Sequence, residues 1–160
     1  MKNILFIVNP NSAKGNEERI SRAIESRIDH NIFNVSVTYT QSADHAINLS
    51  KKAVAEGIDI IVAVGGDGTV NEVASQLIKT SNTLGIVPLG SGNGLARHLG
   101  IPRNIEKAID LINKQQTSTI DTGSVNGNIF VSIAGVGFDA LVAERFARGV
   151  RRGFLGYFQI

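Results

Sequence analysis

The sequence predicts an α/β protein: a three-layer domain with a parallel sheet between helices, leading into the start of an antiparallel β domain. Three observations carry that expectation. Apolar β-branched runs alternate with segments of helical periodicity up to about residue 115. Three of those runs end in polar, glycine-rich loops. Beyond them the alternation gives way to two strand-like segments joined by Asn126-Gly127, a dipeptide suited to a tight hairpin turn. The expected division is a first domain over 1–116 and the incomplete start of a β-rich one over 117–160.

The elements follow in order. Ile4-Leu-Phe-Ile-Val8 reads as a strand, and Asn9-Pro-Asn-Ser-Ala-Lys-Gly15 as the loop after it. Ile20, Ala23, Ile24 and Ile28 mark one face of a helix. Phe33 to Tyr39 alternates apolar and polar, as a half-exposed strand does. Ala43, Ala46, Ile47, Ala53 and Val54 mark the next helix, with Ser42 placed to cap it. Ile58 to Val64, an apolar, β-branched run but for Asp59, reads as a buried strand, stopping at Gly65-Gly-Asp-Gly68. Val70, Val73, Ala74, Leu77 and Ile78 then take up helical spacing. Leu84 to Pro88 is another short strand, Leu89-Gly-Ser-Gly-Asn-Gly94 its loop, and Leu95 to Leu99 a helix. Ile105, Ala108, Ile109 and Ile112 mark a helix opened by Pro102 and Asn104.

Thr117 to Val125 and Asn128 to Ala134 form the expected hairpin, followed by a helix over Asp139 to Phe146. A basic cluster at Arg145, Arg148, Arg151 and Arg152 comes next. The ending, Gly-Phe-Leu-Gly-Tyr-Phe-Gln-Ile160, is apolar where a terminus is usually polar. The chain therefore reads as a fragment.

Composition narrows the possibilities. A length of 160 residues with 42% hydrophobic content suffices for one core, and no apolar run is long enough to span a bilayer. The start lacks a signal-peptide pattern. The absence of cysteine excludes disulfides and thiol catalysis and fits a reducing, cytoplasmic setting. A net charge of +2 argues against a broad nucleic-acid surface.

The loops carry the chemistry. Glycine lets backbone approach a phosphate closely, while helix N–H groups point at it. Neither G-x-x-x-x-G-K-[ST] nor G-x-G-x-x-G after the first strand is present. Asp67 stands inside its glycine loop, where an acid suits a metal ion or a proton better than an anion. Thr69-Val-Asn-Glu72 also fits a capping box. Ser91 and Asn93 suit either a helix cap or a phosphate contact. Parallel strands would bring all three loops to one carboxyl edge, where open α/β folds bind ligands.

Asn9-Pro-x-Ser-x-Lys-Gly15, Gly65-Gly-Asp-Gly-Thr69 and Pro88-Leu-Gly-Ser-Gly-Asn93, in that order, resemble the catalytic domain of the diacylglycerol kinase family. That family also contains the sphingosine and ceramide kinases. Gly135-Val-Gly-Phe-Asp-Ala140 is similar to its later Gly-Phe-Asp-Ala element. Gly-Gly-Asp-Gly-Thr is shared with NAD kinases and phosphofructokinases, whereas Gly-Ser-Gly-Asn points to the lipid kinases.

The resemblance implies a nucleotide-binding fold of the NAD kinase and diacylglycerol kinase type, an ATP-dependent lipid kinase activity, and Mg²⁺. It implies Asp67 as general base or metal-linked acid. Asn9, Thr40, Gly65, Gly66, Gly68, Thr69, Ser91, Gly92 and Asn93 would contact nucleotide. Thr40 equally suits a plain strand end. Asp139 would face a lipid headgroup, or else cap a helix after Gly137. Arg148, Arg151 and Arg152 would reach phosphate, or else form a solvated basic tail. His45 and His98 have no acid at useful spacing and read as structural.

Gly94 departs from the acid that many diacylglycerol kinases carry after this asparagine, and resembles the sphingosine and ceramide branch. The implied partners are ATP and a lipid alcohol, with reversible contact at the inner membrane face. With the second domain incomplete, this chain alone is expected to be inactive. An NAD-kinase-like enzyme and a nucleotide- or lipid-binding module without turnover are the other readings.

Overall fold

In the computed structural model, residues 1–13, 15–135 and 140 are described. Strand β1 spans Lys2–Val8, β2 Phe33–Tyr39, β3 Ile60–Gly65 and β4 Thr83–Pro88. All pair in parallel, in the order β2-β1-β3-β4. The helices between them are α1 (Pro10–Ala13), α2 (Glu17–Arg27), α3 (His45–Ala55) and α4 (Asp67–Leu77). Two more, α5 (Gly94–His98) and α6 (Ile105–Asn113), follow β4. Strands β5 (Gly123–Val125) and β6 (Asn128–Phe130) form a separate antiparallel pair.

The period-2 side-chain alternation of the strands divides the core into two layers. Ile4, Phe6, Val8, Val62, Val64 and Val87 face one way and pack with Ile20, Ile24, Ala108 and Ile109 of α2 and α6. Ile7, Ile61, Ala63 and Ile86 face the other and pack with Ala46, Ala53, Val70, Val73 and Leu77 of α3 and α4. This is the expected three-layer architecture. Strand β3 is buried along its whole length, while β2, at the edge, alternates only over Phe33 to Ser36 and leaves Val37 and Tyr39 exposed.

The first layer is also laced together by polar contacts. Arg27 pairs with Asp110, and Arg19 with Glu106 at 3.2 Å. Asn113 closes the end of α2, donating to the Arg27 carbonyl at 2.7 Å and accepting the Asp29 N–H at 3.0 Å. Asn104 caps α6 as expected, its Oδ1 accepting the Lys107 N–H at 2.9 Å, a contact worth about 1 kcal/mol.

Several boundaries differ from the sequence reading. Pro10–Ala13 is a helical turn inside the first loop, with proline at the first position, where its missing N–H costs nothing. Helix α3 begins at His45, not near Ser42: Asp44 takes a left-handed conformation (φ 59°), and His45 Nδ1 accepts the Gln41 N–H at 3.0 Å. The β3 strand begins two residues late because the Ile58 N–H bonds back to Ala53 O at 3.0 Å, closing α3.

Thr69 and Glu72 form no capping box. Helix α4 starts at Asp67, which puts Thr69 inside its first turn. Glu72 instead faces the backbone N–H groups of Asp44 and Ala46 at the start of α3. Burial pushes its carboxyl above the usual range, and the Asp44 charge adds to that.

The hairpin turn is where Asn126-Gly127 was expected, with φ values of 50° and 80°, as a type I′ turn requires. Its strands have three residues each rather than the longer runs anticipated. On the edge of β6 that faces away from β5, the Val131 N–H bonds to the Asn71 side chain at 3.2 Å.

Candidate functional site

The strand order places a topological switch between β1 and β3: from β1 the chain moves outward to β2, then returns to the other side for β3. The loops after β1 and β3 therefore diverge from adjacent strand ends, which is where an open parallel sheet leaves a crevice. Asn9 spans it. Its Nδ2 donates to Thr69 Oγ1 at 3.0 Å, its N–H donates to Val64 O at 2.9 Å, and its Oδ1 accepts the Asn11 N–H at 3.0 Å. Thr69 is buried.

The loop after β4 closes on the same point. The Leu89 N–H donates to Gly65 O at 2.8 Å. Gly66 and Gly90 then pass so closely that a Cβ on Gly90 would lie 2.8 Å from Gly66 Cα. Real Cβ contacts do not reach that distance, so glycine is required at 90 by the approach of two backbones. A Cβ on Gly66 would have Gly90 at 3.4 Å and Ser12 Oγ at 3.9 Å. The three loops thus meet at Ser12, Gly66 and Gly90.

Asp67 sits at the crest, exposed, at the start of α4. Both carboxylate oxygens are held by the third loop: Oδ2 accepts the Asn93 N–H at 2.8 Å and Oδ1 the Gly94 N–H at 2.7 Å. A carboxylate oxygen has two lone pairs, so each keeps one for a proton, a metal ion or a hydroxyl. Two backbone donors fix the side chain without consuming it.

Asn93 makes that grip possible. It is buried, with left-handed backbone (φ 55°). Its side chain folds back onto Gly90, accepting the N–H at 2.9 Å and donating to the carbonyl at 2.6 Å. Although Asn93 occupies the cap position of α5, its side chain makes no cap hydrogen bond. The loop is a closed ring that aims two N–H groups at Asp67.

The other sequence-derived candidates lie around this crest. Gly65 ends β3, Gly68 lies in the first turn of α4, and Ser91 and Gly92 belong to the loop after β4, with Gly68, Ser91 and Gly92 exposed. A Cβ on Gly92 would lie 2.8 Å from Asp67 Oδ2. Thr40 is buried at the carboxyl end of β2, its N–H donating to Val8 O at 2.9 Å, next to Asn9. Asp139, Arg148, Arg151 and Arg152, with the helix expected over Asp139 to Phe146, lie outside the described residues.

Two cavities flank the Gly66–Gly90 contact. One, of about 290 Å³, opens on the α2 and α6 side between Ser12, Asn16, Arg19, Gly90 and Arg103. The other, of about 150 Å³, lies between Asp67, Asn71, Leu95, Phe130 and Ser132. The sequence reading placed Asn71 only in the pair Asn71-Glu72, which suits an NAD-kinase-like enzyme, and gave Ser132 no place at the site. For Asn71 a signal exists: it follows Asp67 by four residues, one helical turn on the same face.

Among the described residues no three His, Cys, Asp or Glu side chains gather into a metal cage. Asp67 is one carboxylate at the head of loops fit for phosphates. That arrangement suits Mg²⁺, which is commonly held by one or two carboxylates together with substrate phosphates.

The profile of the diacylglycerol kinase catalytic domain matches residues 3–125. A diacylglycerol kinase of Bacillus subtilis is 38% identical over 140 residues, which cover 86% of this chain and 46% of that protein. One from Mycobacterium tuberculosis is 35% identical over 151 residues, covering 91% and 49%. The crystal structure of a diacylglycerol kinase from Bacillus anthracis superposes with a TM-score of 0.74 at 30% identity, covering 81% of this chain and 45% of the other. The chain spans about half the length of the curated relatives it matches.

Proposed function

This chain belongs to the diacylglycerol kinase catalytic-domain family, and on that premise we propose that it carries the nucleotide-binding half of an enzyme transferring the γ-phosphate of ATP to a lipid hydroxyl. The observation that carries the reading is Asp67, an exposed carboxylate held by the Asn93 and Gly94 N–H groups where three glycine loops converge.

Phosphoryl transfer asks a protein for positioning, charge neutralisation and a destination for the acceptor proton. The loops at Ser12, Gly66 and Gly90 position the triphosphate, their glycines letting the backbone come close to it. Asn9, Thr40, Thr69, Ser91 and Asn93 shape that cradle, Asn93 by holding the third loop closed. Asp67 takes the acceptor proton as the hydroxyl oxygen bonds to the γ-phosphorus and the bond to the bridging oxygen breaks, releasing ADP. Mg²⁺ would be held by the phosphates, with Asp67 as the carboxylate at hand where it serves the metal instead of the proton, and would supply neutralisation of the triphosphate charge.

The names of the relatives make diacylglycerol the first acceptor to try. Gly94, which resembles the sphingosine and ceramide branch, keeps sphingoid bases and other lipid alcohols in view; a Cβ there would lie 3.0 Å from Ser132 Oγ and 3.7 Å from Asp67 Oδ1. A side chain at 94 would narrow the entrance to the acid. The lipid is met by reversible, peripheral contact at the inner membrane face, where ATP is available; among the described residues no helix is long and apolar enough to cross a membrane. Asp139 and the arginines at 148, 151 and 152 are proposed to serve the headgroup and the phosphates.

The test is Mg²⁺-ATP phosphate transfer to diacylglycerol, sphingoid bases, other lipid alcohols and NAD. It uses this chain and the longest polypeptide its gene encodes. A phosphorylated lipid that disappears in Asp67→Asn is the expected result. Phosphorylated NAD with no lipid product would overturn the reading.

A further inference from the structure

We propose that Asn71 is a positioning residue, whose side-chain amide stands in for a β-strand and sets strand β6 against the catalytic turn of α4. Its Nδ2 donates to Ile129 O at 3.1 Å, and its Oδ1 accepts the Val131 N–H at 3.2 Å. A carbonyl and an N–H two residues apart are the pair a strand offers to a neighbour across a ladder. A primary amide is the side chain that can answer both, with one donor group and one acceptor.

The consequence falls on the acid. Asn71 lies one turn beyond Asp67, so the hairpin is tied to the turn that begins with the carboxylate. The tie brings Ser132 so near the third loop that a Cβ on Gly94 would meet its Oγ at 3.0 Å. Asp67, Asn71, Phe130, Val131 and Ser132 thereby enclose the cavity of about 150 Å³. The nucleotide loops are closed by other contacts, Asn9–Thr69 and Asn93–Gly90. Asn71 is therefore assigned to the acceptor side alone. This assignment rests on the kinase reading for its effect on turnover, but not for the contact itself.

The experiment has two arms, both in the longest polypeptide the gene encodes. In the first, amide hydrogen exchange is followed for Asn71→Ala and Asn71→Asp. Alanine should raise exchange across 128–133 by about tenfold or more, with β3 and the Asp67 loop unchanged. Aspartate keeps only the accepting half, so Val131 should retain part of its protection. Unchanged exchange in Asn71→Ala would overturn the proposal, whether or not the protein is a kinase.

In the second arm, Asn71→Ala should raise KM for the lipid or lower kcat by about tenfold, with ATP affinity within about twofold of the parent. Loss of ATP affinity to the same extent would show general disruption and overturn the assignment. A hairpin broken independently by Gly127→Val, at φ 80°, should make Asn71→Ala cost nothing more. Fully additive losses would likewise overturn it. Should the parent phosphorylate no lipid, the kinase reading falls, while the exchange arm still decides the contact.

Discussion

Asp67 Oδ2 accepts the backbone N–H of Asn93 at 2.8 Å, across 26 positions of sequence, and Gly94 holds the other oxygen. The acid is thus oriented by the loop that follows a different strand. Asp67→Asn keeps the shape but turns an NH₂ group toward one of those N–H donors, opposing donor to donor. Turnover is expected to fall about 10²- to 10⁴-fold, the range for a lost proton acceptor. Melting should fall only slightly, because the carboxylate is exposed. Steady-state kinetics beside a thermal melt checks this; a variant with near-parental kcat removes Asp67 from the chemistry.

Gly90 and Gly92 separate fold from function within one loop. A methyl on Gly90 meets the Gly66 backbone at 2.8 Å, whereas one on Gly92 meets only the Asp67 carboxylate, also at 2.8 Å. Backbone cannot swing aside as a side chain can. Gly90→Ala is expected to cost about 1–3 kcal/mol, or several degrees of melting temperature for a chain of this size. Gly92→Ala should melt near the parent yet lose activity, since it displaces the acid. Equal melting of the two variants would contradict this.

The Asn9–Thr69 bond at 3.0 Å crosses the switch point and fixes the spacing of the first two loops. Thr69→Val keeps the shape, removes the acceptor and leaves the Asn9 amide without it. A loss of about 1–3 kcal/mol is expected for the orphaned donor, together with weaker ATP binding. Thr69→Ser, which restores the hydroxyl, should recover most of both. Calorimetric titration with ATP on the three proteins reads the result.

How much of this was written in the sequence differs by element. The layers were legible because strand alternation and helical spacing of apolar residues agree, as at Ile4, Phe6 and Val8 against Ile20 and Ile24. The hairpin turn was legible because Asn126-Gly127 suits two positive φ angles. Thr69 and Glu72 misled because a capping box is a local pattern. In the fold both side chains are engaged by distant segments, Thr69 by Asn9 and Glu72 by the start of α3. Asn93 was visible as a polar residue of a glycine loop. Its closure onto Gly90 depends on a left-handed backbone that composition does not announce. The contact that Asn71 makes was hidden for a similar reason: its partners, Ile129 and Val131, are backbone groups about 60 positions away.

Acid titration should separate two kinds of carboxylate. The Arg27 guanidinium, hydrogen-bonded to Asp110, holds that carboxyl below its ordinary value of 3.8. For Glu106 the backbone N–H at the start of α6, then Arg19, lowers it from 4.5. Burial, then the Asp44 charge, raises Glu72 above 4.5. A lowered native pKa gives stability that is present above the unfolded value and is lost as pH falls through the native one. A raised one gives stability that is present below the unfolded value and is lost as pH rises through the native one. Asp110→Asn should therefore destabilise at pH 7, the difference shrinking as pH drops below about 4. Glu72→Gln should do the reverse, gaining stability relative to the parent as pH rises from about 4 to 7. Denaturant unfolding of the three proteins across that range supplies the measurement. A Glu72→Gln difference that stays flat with pH would mean the carboxyl is solvated and free of the Asp44 charge, against its position between α3 and α4.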